Sequence, residues 1–248
     1  MSTRIWRRLT KSMPRSRRKA DKQREKRQKR LRDFFRGLFV ATIRSFGIIR
    51  SLNGKENAMA AKIKFLKTFG SWREVADAAR TTIRRDEGDK EPSSKWKKRI
   101  LLAEHSPIRK LCFGWKWLDL PYWVSVHFVR HKYGIEHFVS TQRTDRTGCE
   151  RDANRQDAPV MHECYANAQA VMSISRRRLC GQASAETRAA WKLVVDAIAE
   201  KEPELASCCV PECVYRGFCP EFKPCGYCGT EAYKKALEKY RADASKVE

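Results

Sequence analysis

No run of about 18 apolar residues free of charge occurs in this 248-residue chain, so no ordinary membrane-spanning helix is expected. The nearest approach, residues 34–49, is broken by Arg36 and Arg44. No apolar segment ending in small residues follows the basic start, so the sequence predicts no secretory signal. No internal repeat is present. Acidic side chains are scarce: 29 Asp and Glu stand against 53 Lys and Arg, a formal net charge of +24. Such an excess points to a polyanionic partner or to phosphate-bearing ligands. Apolar residues are not scarce; at 42% they support a core and exclude wholesale disorder. Cysteines that would staple a small secreted domain are usually spread along it. Here six of the ten crowd into 208–228, which predicts a reducing cytoplasm with free thiols or a metal site.

The charge is uneven. Residues 1–58 hold 19 basic and 4 acidic side chains, while 59–248 hold 34 and 25. The first segment reads as a disordered basic N-terminal arm that could touch nucleic-acid phosphates. Within it, residues 34–52 suit a basic amphipathic helix. An alternative is that translation starts at Met59 and that 1–58 is an over-extended reading frame. The expected organisation is this arm, a domain over 59–207, and a Cys-rich loop with a C-terminal helix over 208–248.

From Met59 onward the pattern is globular. Lys62 to Phe69 alternates as a strand does. Ser71 is placed to cap a helix carrying Trp72, Val75, Ala76 and Ala79. A helix is expected over Lys95–Ala103, ending ahead of Pro107. Residues 111–119 put Phe113, Trp115 and Trp117 on one strand face. Pro121 suits the first turn of a helix to Lys132. Residues 141–162 read as a polar loop, Tyr165–Leu179 as a helix stopped by Gly181, and Ser184 as the cap of a long helix through Trp191 and Ile198. A charged helix begins near Thr230.

Three constellations carry chemistry. Arg130-His131-Lys132 precedes a loop by few residues, and Arg is the residue of bidentate phosphate recognition. Basic groups at a helix end also simply suit the helix dipole. His127 and His131 stand four apart, but the metalloprotease glutamate is missing, which argues against metal there. Second, residues 167–178 place Asn167 and Ser173 on a packed helix that ends in three arginines. Third, Cys213, Cys219, Cys225 and Cys228 offer four thiols within 16 residues, enough for a zinc site or an iron–sulfur cluster.

The first two constellations together resemble flavin-dependent thymidylate synthases. Arg130-His131-Lys132, then seven residues, then Ser140 resembles the family signature, whose third position is usually Arg. His105-Ser106-Pro107 is similar to its His-x-(Ser/Thr)-Pro element, shifted by one at the His. Pro121 opens the helix leading to the signature. Asn167-Ala168 through Arg178 resembles the Asn-Ala-Arg helix, and Ala183 to Arg188 resembles the Ala-Gln-x-Glu-Ile-Arg start of the next one.

The resemblance implies an α+β fold, a homo-oligomer (a tetramer) with shared active sites, and one-carbon transfer from methylenetetrahydrofolate to C5 of dUMP. Reduced FAD would supply hydride and NADPH would reduce the flavin. It implies that Arg130, His131 and Lys132 hold FAD with help from Ser106, Asn167 and Ser173. Ser140 and Arg178 would act on the nucleotide, Arg178 by stabilising charge on the activated ring. His127, Gln142, Arg143 and Arg146 would also bind substrate, the two arginines at its phosphate.

The chain departs from the pattern at Lys132, at His137-Phe138-Val139 ahead of Ser140, at His127 in place of Gln, and in a short segment between Ser140 and Asn167. These departures leave room for a different pyrimidine C5 transfer, such as hydroxymethylation. The reading from another class is a nucleic-acid-binding protein built on the basic arm, the aromatics Trp115, Trp117 and Trp123, and a zinc loop.

Overall fold

In the computed structural model, residues 61–245 are described. The expectations for 1–58, including the arm, its amphipathic helix and the start at Met59, lie outside the described residues. Among the described residues, no helix is long and apolar enough to cross a membrane.

Four antiparallel strands form one sheet in the order β1-β2-β4-β3: β1 Lys62–Phe69, β2 Cys112–Pro121, β3 Ile135–Val139 and β4 Pro159–Asn167. Helices α1 (Trp72–Thr81) and α2 (Ser94–Leu102) lie between β1 and β2. Helix α3 (Tyr122–Phe128) links β2 to β3, and the short α4 (Thr144–Thr147) lies between β3 and β4. Then follow α5 (Ala168–Arg178), α6 (Ala185–Ala199), α7 (Pro203–Cys208), α8 (Glu212–Arg216) and α9 (Glu231–Ser245). The architecture is α+β, as the resemblance implied.

Serine side chains cap three of the helix starts. Ser71 accepts from the Glu74 amide at 3.2 Å, Ser93 from Trp96 at 3.3 Å and Ser184 from Thr187 at 3.2 Å.

One face of β2 builds the core. Phe113, Trp115 and Trp117 are fully buried. Trp117 stacks on Phe128 with centroids 4.4 Å apart, and Trp115 meets Trp191 edge-on at 5.8 Å. Trp117 donates to the Ala190 carbonyl at 3.0 Å, and Trp191 to the Ser175 hydroxyl at 2.9 Å. Trp123 is half-buried and packs on the same core. Trp115 and Trp117 are therefore core indoles, and the expectation that they offer stacking platforms to nucleic acid is corrected. A break in register between Trp117 and Leu120, with Asp119 at φ +57°, returns Leu120 to the core.

The segment expected to be a loop over 141–162 ends as strand β4, and the helix expected from Tyr165 starts only at Ala168. The inward positions of β4 are Val160, His162, Cys164 and Ala166, all buried. Its alternation is real, but polar His162 faces in while apolar Met161 and Tyr165 face out, so hydrophobicity does not reveal it. The Asn167 side chain then accepts from the Ala170 amide at 2.9 Å and starts the helix. Helix α3 is also shorter than expected, since it ends at Phe128, with Val129 as its cap. Arg130, His131 and Lys132 thus lie just beyond the helix rather than in its last turn.

Candidate active site

The three arginines that end α5 point in three directions, as a rotation of about 100° per residue requires. Arg176 pairs with Glu104 and lies over the Tyr215 ring, 3.6 Å from its centroid. Arg177 reaches Glu221 at 3.4 Å and Glu212 at 4.0 Å. Among the described residues, Arg178 meets no carboxylate. Its Nε donates to Nε2 of His131 at 2.8 Å, and its Nη2 donates to the His127 carbonyl at 2.6 Å. That carbonyl belongs to the unpaired end of α3, where partial negative charge collects. The geometry explains why a helix ending in Arg meets the chain leaving α3.

His127 holds the opposite side. Its Nδ1 lies 3.1 Å from the hydroxyl of Thr187, a buried residue in the first turn of α6. Ser184 donates to that hydroxyl at 2.8 Å. Thr187 therefore ties the capped start of α6 to the site. The sequence signalled it only as the fourth residue of a capping pattern.

Beyond Arg178 runs a chain of imidazoles. His137 Nε2 lies 2.8 Å from the His131 carbonyl and so carries a proton there. His137 Nδ1 is then an acceptor, facing His162 Nε2 at 3.0 Å and the Cys164 thiol at 3.3 Å. His162 is fully buried, and its Nδ1 has no hydrogen-bond partner. The ligand atoms of His137, His162 and Cys164 lie within 4.8 Å of one another. Sequence reasoning passed over His162 because a histidine in a polar stretch gives no signal until β4 is recognised.

Electrostatics disfavour the protonated forms of His127, His131 and His162, and the arginines keep the site cationic. Burial, the Arg178 guanidinium and His137 pull His131 down to about 4. Burial and His137 do the same to His162, also to about 4. His127 is lowered by burial and by Arg178 and Arg130. Arg178 is itself pushed down from its ordinary value by burial and by Arg130 and Arg177. The donors here are exposed Arg130 and Lys132 and half-buried Arg178, and among the described residues no carboxylate is bonded to any of the three. That set fits an anionic group such as a nucleotide or dinucleotide phosphate.

The other residues named from sequence take varied places. Asn167 lies beside Gly134, which has φ +70°; a Cβ there would come within 2.5 Å of the Asn167 amide nitrogen, so only glycine fits. Ser140 closes the β3–β4 ladder, its hydroxyl accepting from the Met161 amide at 3.0 Å. Gln142 is half-buried. Arg143 makes a two-bond fork with Asp145 at 3.0 and 2.9 Å, and Arg146 approaches the same carboxylate at 3.7 Å. Both arginines are exposed. Ser106 and Ser173 are exposed, whereas Ser175, two residues on, is the buried serine of α5. Cys213 is buried, Cys219 and Cys228 are half-buried and Cys225 is exposed; all four thiols are free.

No protein-family model matches the sequence, and no curated protein matches it. Solved structures do match its fold. The UMP/dUMP methylase PolB from Streptomyces cacaoi, solved with 5-Br dUMP, superposes with a TM-score of 0.50 and 12% identity, over 64% of this chain and 95% of that one. The flavin-dependent thymidylate synthase ThyX from Helicobacter pylori, solved with FAD and dUMP, superposes with a TM-score of 0.51 and 12% identity, over 60% and 99%. At this identity the likeness is one of fold: the chain has the α+β fold of flavin-dependent thymidylate synthases.

Proposed function

We propose that this protein is a flavin-dependent enzyme of pyrimidine nucleotide C5 modification. Its reaction is the transfer of a one-carbon unit from methylenetetrahydrofolate to dUMP, with NADPH as the source of electrons. The observation that carries the reading is Arg178, a half-buried guanidinium with no carboxylate partner among the described residues, held by His131 and by the end of α3. It stands in a fold shared with the Helicobacter pylori enzyme solved with FAD and dUMP.

FAD would be held by Arg130, His131 and Lys132, with Asn167 fixing the turn at Gly134 beside them. When bound, flavin supplies the hydride that completes the transferred carbon. The protein's part is electrostatic. Arg178 presents positive charge where negative charge develops on the pyrimidine, and its orientation is set before substrate arrives. Neutral His131 accepts from Arg178 and does not compete with it for the anion. Arg143 and Arg146 lie on an exposed turn past Ser140, where exchanging Asp145 for a substrate phosphate costs little.

The basic character of residues 59–248 suits FAD, a nucleotide and a folate, all anionic. Exposed Tyr122, Val126 and Val129 form an apolar stripe along α3 at helical spacing, which supports assembly into an oligomer such as a tetramer. Ten cysteines without a disulfide fit a reducing cytoplasm. Incubation with FAD, NADPH, methylenetetrahydrofolate and dUMP, followed by chromatography of the nucleotides, tests the reaction. Formation of dTMP supports it. A hydroxymethylated product would move the assignment to the related transfer, and unchanged dUMP with flavin bound would overturn it.

A further inference from the structure

A fifth thiol joins the four that the sequence groups together. Cys180 lies two residues beyond Arg178, at the end of α5, and is buried. The loop after α8 folds back over it. At Gly181 an added Cβ would come within 2.7 Å of the Cys225 sulfur, so a bare backbone is needed for that thiol to approach. The fold-back is tied down by Gln182, which bonds the Lys223 carbonyl, and by Arg177, which spans Glu212 and Glu221. The thiols are mutual neighbours. Cys213 interacts with Cys228 and Cys180; Cys228 with Cys213, Cys219 and Cys225; Cys180 with Cys219 and Cys225.

Among the described residues, the apolar cluster at this corner has three buried members, Cys213, Val214 and Tyr233, with Val210, Tyr227, Leu237 and Tyr240 packed against them. No disulfide joins any of the ten cysteines. So small a cluster would gain from a metal staple. A bound metal would supply the positive charge that thiolates require.

The width of the array distinguishes its occupants. Zinc at about 2.3 Å from each sulfur sets tetrahedral sulfurs about 3.8 Å apart. Among the described residues the three-membered ligand group within 4.8 Å is His137, His162 and Cys164, and no three of these five thiols form another. The five sulfurs are thus spread more widely than the shell of one zinc ion requires, and four cysteine thiolates are the ligand set of an iron–sulfur cluster.

We propose that Cys180 and Cys213 form the fixed inner wall of an iron–sulfur cluster site that the loop cysteines Cys219, Cys225 and Cys228 close. Four of the five thiols ligate, Cys180 among them. The site joins the C-terminal segment to the helix that presents Arg178. It does not depend on the flavin reading, since its ligands and its assay are separate from flavin and nucleotide.

The test is iron, zinc and acid-labile sulfide analysis of the full chain isolated without oxygen, beside Cys180→Ser, Cys213→Ser and the exposed control Cys149→Ser. Circular dichroism confirms folding of each. The expected result is iron and sulfide in equal amounts in the parent and in Cys149→Ser, with most of both lost in Cys180→Ser and Cys213→Ser. Stoichiometric zinc without iron, disulfides among these cysteines, or a metal-free protein with free thiols would overturn the proposal. So would a folded Cys180→Ser protein that keeps its full iron and sulfide.

Discussion

Arg178 donates to Nε2 of His131 at 2.8 Å, so the proton of the imidazole sits on Nδ1 and the ring stays neutral beside a guanidinium. Neutrality of the ring and orientation of the cation are one arrangement. If Arg178 stabilises charge on the substrate, Arg178→Ala lowers kcat by about 10²–10³, the loss typical of one preorganised donor. Arg178→Lys retains charge without the two-pronged hold and falls between. Steady-state rates of dTMP formation, with flavin content measured on the same samples, check this. Full turnover in Arg178→Ala would remove the residue from the mechanism.

The two histidines drawn down to about 4 make stability depend on pH on the acid side. Their pKa is lower folded than unfolded, so the unfolded chain binds more protons between about 4 and the ordinary value near 6.5. Stability is therefore full above that window and declines as pH falls through it. For fully buried His162 the loss is on the order of 3 kcal/mol by pH 4. Urea midpoints from pH 8 to 4 should fall mainly below 6.5, and His162→Asn should flatten the profile. A profile unchanged by that substitution would contradict the assignment.

Two serines of α5 should separate cleanly. Ser175 donates to the Val171 carbonyl at 2.8 Å and accepts from the Trp191 indole at 2.9 Å, all within the core. Ser175→Ala leaves the indole N–H unpaired and should cost about 1–3 kcal/mol. Exposed Ser173→Ala should stay within about 0.5 kcal/mol. If Ser173 instead contacts FAD, as the resemblance implies, its substitution weakens flavin affinity without changing the urea midpoint.

Much of the frame was legible in the sequence because local chemistry and tertiary structure agree there. Ser71 and Ser184 cap where expected, and Phe113, Trp115 and Trp117 alternate into the core as read. The misses have a common cause. β4 buries His162 and Cys164 in place of aliphatic residues, so its period of two carries no hydrophobic contrast. Once β4 is missed, Asn167 looks like a mid-helix residue instead of a cap, and the imidazole chain through His137 and His162 cannot be assembled. At the site, the signature residues were readable because their order is fixed. Thr187 and Cys180 were not, since each acts through a partner far away in the chain.

Arg143 and Asp145 offer a test at the substrate phosphate. Their fork is on the surface and contributes little to stability. Arg143→Ala should raise the KM for dUMP about 10-fold or more, the scale of a lost charge-assisted hydrogen bond, with kcat nearly unchanged. Asp145→Asn should lower KM by releasing both arginines. Opposite movement of the two variants is the expected signature, and parallel movement would assign the turn a structural role only.

The most direct test of the account is the visible absorption spectrum of the purified full-length protein, recorded before and after denaturation, with the released chromophore identified by mass. The account predicts flavin bands that red-shift or lose structure in the folded protein and a stoichiometric release of free FAD. A protein that carries no flavin, and takes up none when FAD is added, would contradict it.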